Sequence, residues 1–222
     1  MGRYSVIPYD TSKYNFTEII RELFQVDELS DIHTLTNEKY GTFLVGKDSS
    51  TTFHKQFYDK YHSGWEILQN TYDNFVEDYA VTYFNEDILY QKFPTFRVHL
   101  PNNVAVGAFH NDSEFHHPGG EINYILPLTN SEDTASVWVE SEPKKEDFEA
   151  MDMKVGELIM FNGNKLTHGN KTNLTDKTRV SMDFRILPLS EYDDTAIEES
   201  ITLKTKFKLG DYYNLLKIKS HG

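Results

Sequence analysis

Apolar residues recur every three or four positions in two stretches of the first 90 residues, a spacing that places them on one face of a helix. In the first stretch, Asn15 and Glu18 have the types and spacing found at a helix start. The apolar positions that follow are Ile19, Ile20, Leu23 and Phe24. This pattern predicts an amphipathic helix near the N-terminus.

The second stretch is longer and mostly aromatic. Ser49 and Ser50 precede it and are suited to capping a helix. Its stripe consists of Phe53, Phe57, Tyr61, Trp65, Leu68, Tyr72, Phe75 and Tyr79. Gly64 alone interrupts the stripe, so we predict one long helix with a bend there. A stripe of this kind favours a helix that braces the back of a sheet over a platform for stacking ligands.

From Phe93 onward the pattern changes to short alternating segments separated by turn residues. The predicted strands are 95–100, 104–110, 121–128, 135–140, 157–161 and 179–187. Many short strands with regular turns are typical of an all-β barrel or a double-sheet jelly roll.

Three further segments complete the pattern. Residues 1–14 show no periodicity and are predicted to be an arm that leads into the first helix. Residues 41–46 form a short apolar run between glycines and predict a strand. Residues 201–209 alternate with lysine on one face, which predicts a strand at a sheet edge.

The chain of 222 residues is long enough for one domain with a full core. No repeat, low-complexity tract or linker divides it. We therefore predict a single α+β domain over 1–222, in which 1–90 is mainly helical support and 91–222 is a jelly-roll core.

Composition and charge exclude several partners. The formal charge of -13 repels phosphate backbones and anionic lipid, which argues against nucleic-acid binding. The chain has no cysteine and no apolar run near the roughly 20 residues of a membrane span. Its first residues lack the apolar core of a signal peptide. We expect a cytoplasmic protein with a small-molecule substrate, and the oligomeric state stays open.

The candidate chemistry begins with two histidines and one aspartate. His110 and Asp112 are two positions apart at the end of a predicted strand, where alternate side chains share a face. Taken alone, such a pair is expected by chance on an acidic surface. His168 follows a turn after an apolar strand, and taken alone it is equally a buried core histidine. Together, two imidazoles and one carboxylate can hold a ferrous ion and leave one face of it open.

The last long strand adds a second feature. Arg179, Ser181, Asp183 and Arg185 share one face, and the opposite face is apolar. A strand of this kind faces either water or a polar cavity. The planar fork of Arg179 suits a carboxylate, and the hydroxyl of Ser181 adds a hydrogen bond. These two residues can bind the far carboxylate of a small diacid.

His110-x-Asp112, His168 and Arg179-x-Ser181, with the arginine eleven positions after the second histidine, resemble the motif of the Fe(II)- and 2-oxoglutarate-dependent oxygenases. The sequence around these residues is similar to that of the branch of streptomycin-biosynthesis and phytanoyl-CoA-hydroxylase-like oxygenases. The similar segments are 121–129, 137–141 and 167–170, and the whole resemblance covers 93–190.

The resemblance implies a double-stranded β-helix and the cofactors Fe(II), 2-oxoglutarate and O2. It assigns His110, Asp112 and His168 to the metal, and Arg179 with Ser181 to 2-oxoglutarate. The implied reaction hydroxylates a small polar metabolite, an amino acid or a sugar derivative, and releases succinate and CO2. Halogenating members have a small residue in place of the carboxylate ligand, so Asp112 favours hydroxylation, desaturation or ring closure.

Other polar residues are candidates for the cavity. Asn123 is expected near the co-substrate, and His116 and His117 are expected at the mouth rather than on the metal, which needs open positions. Candidate substrate contacts are Arg97, His99, Trp138, Glu140 and Arg185. For each of these, ordinary packing or surface exposure is the alternative.

Two other functions remain open from the sequence. A cupin-type metal enzyme that does not use 2-oxoglutarate usually carries His-x-His with a glutamate. In such an enzyme Arg179-x-Ser181 would have no co-substrate carboxylate to bind. A non-catalytic jelly-roll binding module would have no metal affinity. Nucleic-acid demethylation is disfavoured by the net charge.

Overall fold

The computed structural model describes residues 2–35, 51–105, 108–200 and 204–218. The helices are α1 (Phe16–Phe24), α2 (Thr52–His62) and α3 (Glu66–Phe75). The strands are β1 (Ser5–Pro8), β2 (Ile88–Gln91), β3 (Thr95–His99), β4 (Ile122–Pro127), β5 (Val137–Val139), β6 (Glu149–Met151), β7 (Glu157–Phe161), β8 (His168–Asn170), β9 (Arg179–Pro188) and β10 (Tyr213–Leu216). The predicted strand 41–46 lies outside the described residues.

The first predicted helix is confirmed, whereas the second is divided. α1 begins after Asn15 and buries its apolar face. The aromatic stripe forms α2 and α3, because Gly64 between them has a φ of +93°, which a helix cannot include. The hydroxyl of Thr51 caps α2 by accepting from the backbone N–H of His54. The prediction of one bent helix is therefore wrong, while the burial of its aromatic stripe is confirmed for the seven members from Phe53 to Phe75.

Two antiparallel sheets follow the helices. The larger sheet has the strand order β1-β7-β4-β9-β2-β10, and β3 also pairs with β9. The smaller sheet has the order β6-β5-β8. β9 is the central strand: one of its edges pairs with β4, and the other pairs first with β3 and then with β2. This arrangement agrees with the predicted α+β fold class.

Alternating side chains give the larger sheet two different faces. Its outer face packs against the helices through residues such as Tyr124, Leu158 and Val180. Its inner face packs against the smaller sheet through Ile125 and Ile159. The polar residues of β9 lie on this inner face. The space between the two sheets is therefore where a binding site can form.

Several strand predictions are corrected. The arm 1–14 contains β1, which pairs with β7. The range 104–110 is not a strand in its described part, because Ala105 has a φ of +62° and only His110 forms an isolated bridge. Residues 204–209 make only isolated bridges, and the sheet edge is formed instead by β10. Among the described residues, no helix is long and apolar enough to cross a membrane.

Candidate active site

Two histidines and one aspartate converge at the edge of the space between the sheets. His110 and His168 exchange two backbone hydrogen bonds of 3.0 and 2.8 Å. Asp112 opens a 3-10 turn at Asp112–Phe115 instead of continuing a strand, which corrects the predicted shared strand face. Its Oδ1 is 3.7 Å from His110 Nε2 and 3.6 Å from His168 Nε2. One ligand atom from each residue lies within 4.8 Å of the others, so a single metal ion can contact all three.

Backbone carbonyls fix the tautomer of both imidazoles. His110 Nδ1 lies 2.8 Å from the carbonyl oxygen of Ala108, and His168 Nδ1 lies 3.0 Å from that of Leu166. Because a carbonyl can only accept, each Nδ1 carries the hydrogen and donates it. Each Nε2 then keeps its lone pair directed toward Asp112. This is how proteins orient histidines that bind metals.

The two oxygens of the Asp112 carboxylate have different environments. Oδ2 accepts hydrogen bonds from Asn123 Nδ2 at 2.7 Å and from Arg185 Nε at 2.8 Å. Oδ1 faces the two imidazoles. Asn123 is itself held by the backbone N–H of Gly163, where a Cβ atom would lie 2.7 Å from the Asn123 side chain. Only glycine permits this close approach of Asn123. Because Asn123 and Arg185 both bind Oδ2, Oδ1 is the oxygen directed at the metal position.

Electrostatics keep Asp112 ionised. Burial alone would raise the pKa of Asp112, but the charge of Arg185 and the two imidazoles hold that pKa well below its ordinary value. Burial lowers the pKa of His168, which favours the neutral ring that binds a metal. Burial also acts to lower the pKa of His110, but Asp112 and the Ala108 carbonyl outweigh it and raise that pKa.

A cavity of about 610 Å³, including its open mouth, lies beside these residues between the two sheets. Its apolar wall includes Ile125, Val137 and Phe161. On its polar wall, Arg97 Nε donates to Asp183 Oδ2 at 2.9 Å.

Arg179 and Ser181 lie on the inner face of β9 near its start, whereas Arg185, which contacts Asp112, lies nearer its end. Arg179 lines the cavity, is 3% exposed, and donates to Asn170 Oδ1 at 2.9 Å. Ser181 is 1% exposed, and its hydroxyl donates to Asp183 Oδ1 at 3.3 Å. A guanidinium that is both buried and at a cavity wall is suited to binding a carboxylate.

The other predicted residues separate into two groups. Arg97, Arg185 and Asn123 line the cavity, although Asn123 and Arg185 bond to Asp112. His99 is fully buried between the carbonyl oxygens of Asn103 and Ala135. We do not retain His99 as a substrate contact, because both ring nitrogens already face backbone.

Trp138 and Glu140 also lie away from the cavity lining. Trp138 donates to the Asp133 carbonyl oxygen and carries the ammonium of Lys171 3.1 Å above its ring. Glu140 is fully buried, and its Oε1 accepts from the backbone N–H of Thr167 at 2.7 Å. Glu140 thus braces the residue before a metal-site histidine, a role that no local sequence signal indicated.

No local sequence pattern indicated the buried carboxylate of Glu121 next to Arg185. Glu121 is fully buried, and His117, Arg185 and Tyr213 surround its carboxylate. His117, which was expected at the mouth, turns inward to Glu121. Among the described residues, the cluster that could hold a metal ion consists of His110, Asp112 and His168, as predicted. It does not include His116 or His117.

The donor set fits Fe(II). Two imidazoles and one carboxylate on one side of an ion form the facial arrangement of non-haem iron sites. Here the lone pairs are already oriented and the ligand carboxylate is ionised, so binding requires little reorganisation. His110 and His168 also line the cavity, which leaves the opposite side of the metal position accessible to small molecules.

Known proteins resemble the chain in both sequence and fold. No family model matches it. The streptomycin biosynthesis protein StrG of Streptomyces griseus is 34% identical over 215 residues, which is 96% of this chain and 99% of that protein. The nickel complex of the non-heme monooxygenase ThoJ covers 98% of this chain and 82% of its own, with a TM-score of 0.53 and 8% identity. Apo ThoJ covers 99% and 83%, with a TM-score of 0.51 and 10% identity. The predicted jelly-roll fold is confirmed.

Proposed function

Because the chain belongs to the family of the streptomycin biosynthesis protein StrG, within the Fe(II)- and 2-oxoglutarate-dependent oxygenase superfamily, we propose that it hydroxylates a small polar metabolite. One observation carries the proposal. Two oriented imidazoles and the free oxygen of an ionised carboxylate converge at one end of a cavity, and a buried arginine lines the same cavity. These features support a metal position at that end of the cavity and a dicarboxylate position at the arginine.

His110, Asp112 and His168 would hold the ferrous ion. An Fe(II) centre of this kind supplies O2 activation coupled to decarboxylation of 2-oxoglutarate, so that one oxygen atom enters succinate and the other enters the substrate. Asn123 and Arg185 keep Asp112 in the orientation that leaves Oδ1 for the metal. The three ligands would occupy one side of the ion and leave its cavity side to the reactants.

Arg179 would bind the far carboxylate of 2-oxoglutarate. Its guanidinium can form two parallel hydrogen bonds with that carboxylate, and the hydroxyl of Ser181 can add a third. Both side chains are almost completely buried, so these bonds form with little competition from water. Phe161, whose ring is 5.1 Å from the ring of His168, contributes to the apolar wall that excludes water near the metal position.

The substrate would meet the ion pair of Arg97 and Asp183. Both residues line the cavity and remain partly exposed, with side-chain exposures of 29% and 24%. Together they offer hydrogen-bond donors and acceptors on one wall. Hydroxyl, amino and carboxyl groups of an amino acid or a sugar derivative suit such a wall, whereas an apolar substrate would remove water from the pair without offering it hydrogen bonds.

The experiment that tests the proposal measures succinate. Purified protein with Fe(II), 2-oxoglutarate and O2 is incubated with a panel of amino acids, amino sugars and their derivatives. We expect succinate release that requires all three components and increases with a true substrate. Oxidation of a metabolite without 2-oxoglutarate would instead support a cupin-type enzyme. No turnover of 2-oxoglutarate under any condition would contradict the proposal.

A further inference from the structure

Behind the metal-site aspartate lies a second buried carboxylate. Glu121 comes directly before β4 and is fully buried. Its Oε1 accepts a hydrogen bond from the Tyr213 hydroxyl, and its Oε2 lies 2.6 Å from His117 Nδ1. A buried carboxylate is retained only where such partners compensate for its lost hydration.

Arg185 connects this carboxylate to Asp112. Its Nε is 2.8 Å from Asp112 Oδ2 and 3.7 Å from Glu121 Oε2, and its Nη2 is also 2.8 Å from Asp112 Oδ2. The guanidinium is thus held between two carboxylates, one of which belongs to the metal site. Fixing Arg185 fixes the rotation of the Asp112 carboxylate.

Charge gives Glu121 a second role at the same place. A divalent ion bound to Asp112 would add positive charge close to Arg185. Without a compensating carboxylate, Arg185 would repel that ion and bind Asp112 more tightly itself. Glu121 supplies one negative charge beside the Arg185 Nε that donates to Asp112.

We propose that Glu121 is a positioning residue for the metal site: it holds Arg185 so that Arg185 binds Oδ2 of Asp112 and leaves Oδ1 to the metal. Tyr213, at the start of β10, holds Glu121 in turn. The C-terminal strand is thereby coupled to metal binding, although it contributes no ligand. This inference rests on the metal site proposed above.

The test uses Mn(II) alone, with free Mn(II) measured by electron paramagnetic resonance, so it does not depend on turnover. Glu121→Gln keeps the side-chain volume and can still hydrogen bond to Tyr213, but it removes the charge. We expect its Kd for Mn(II) to be about 10- to 100-fold higher than that of the wild type, as for other residues that orient metal ligands. A merely structural Glu121 would change the melting temperature and leave this Kd unchanged.

A matched control is available on the helical side of the larger sheet. Asp73 is a carboxylate that accepts a hydrogen bond from the Tyr90 hydroxyl at 2.9 Å, in the helical layer. Asp73→Asn should leave the Mn(II) Kd at the wild-type value. An equal loss of affinity in both variants would show a general effect of stability and would overturn the proposal.

A double-mutant cycle with Arg185→Met tests whether Glu121 acts through Arg185. We expect Glu121→Gln to change the Kd less than about threefold once Arg185 is absent. The same fold-change in both backgrounds would show that the charge of Glu121 acts directly on the metal ion and not through Arg185. That result would overturn the positioning role.

Should these variants fail to fold, Tyr213→Phe keeps every charge and removes only the hydroxyl that orients Glu121. We expect a Kd for Mn(II) several-fold above the wild type, and an unchanged Kd would overturn the proposal. Wild-type protein that binds no Mn(II) would overturn the metal site itself. Equal Kd values for Mn(II) in the wild type and in Glu121→Gln would overturn only the role of Glu121.

Discussion

The two faces of β9 differ sharply in polarity. On the outer face, Val180, Met182, Phe184 and Ile186 are all at most 1% exposed and pack in the helical layer. On the inner face, the same strand presents the charged and polar side chains of the candidate site. The outer face stabilises the strand, and this stability allows the inner face to hold buried charges in fixed positions. Substitutions on the two faces should therefore change different quantities.

The largest effect is expected on the inner side. Asp112→Ala removes the only carboxylate oxygen directed at the metal position among the described residues, so the affinity for Mn(II) should fall by at least about a hundredfold. Calorimetric titration measures this change. Asp183→Asn is the matched control, because Asp183 lines the same cavity without facing the two histidines. If both variants bind Mn(II) equally well, the ligand assignment is wrong.

The outer face should respond in stability alone. Phe57 is fully buried, and its ring stacks on that of Phe96 with centroids 4.3 Å apart. Phe57→Ala should lower the free energy of unfolding by about 3–5 kcal/mol, measured by urea denaturation, and leave the Mn(II) affinity of the folded protein unchanged. Ile67→Ala, at an exposed helical position, should stay within about 0.5 kcal/mol. A large loss of metal affinity in Phe57→Ala would show that the two faces are not independent.

A third prediction separates two arginines within the cavity. Arg179→Met should raise the KM for 2-oxoglutarate about 10- to 100-fold, because a charge-assisted bond to its far carboxylate is lost. Arg97→Met should affect mainly the KM of the prime substrate. Steady-state succinate formation measures both values. An unchanged KM for 2-oxoglutarate in Arg179→Met would remove Arg179 from the co-substrate site.

The smallest effect concerns the pH dependence of stability. Burial, with a contribution from Arg97, lowers the pKa of His54 to about 3. The unfolded chain takes up this proton near pH 6.5 and the folded protein does not, so stability is lost as the pH falls from 6.5 toward 3. Between pH 7.5 and 5.5 the loss should be about 1.4 kcal/mol for this residue. In urea denaturation, His54→Phe should reduce the loss of stability between pH 7.5 and 5.5 by that amount, and an unchanged loss would contradict the assignment.

The outer face could be predicted from the sequence because its signal is periodic. The stripe from Phe53 to Phe75 and the alternation of β9 both identify which side chains pack in the apolar core beside the helices. What periodicity does not show is backbone conformation. Gly64 divides a continuous stripe into two helices because its φ of +93° is not helical.

The candidate site could be predicted only in part, because its parts are held by long-range contacts. Asn123 was expected near 2-oxoglutarate, and it does line the cavity, but its hydrogen bond to Asp112, eleven positions earlier in the chain, was not predicted. The carboxylate of Glu121 depends on Tyr213, which lies 92 positions later. No local pattern encodes such pairs, since each partner alone resembles ordinary core or surface.

The most direct test of the whole account is anaerobic. Fe(II) and 2-oxoglutarate are added to metal-free protein, and the visible absorption spectrum is recorded for the wild type and for His168→Ala. The account predicts a weak charge-transfer band in the wild type, because the keto acid chelates iron held by three protein ligands, and its absence in His168→Ala. Iron binding without the band, or a band that persists in His168→Ala, would contradict it.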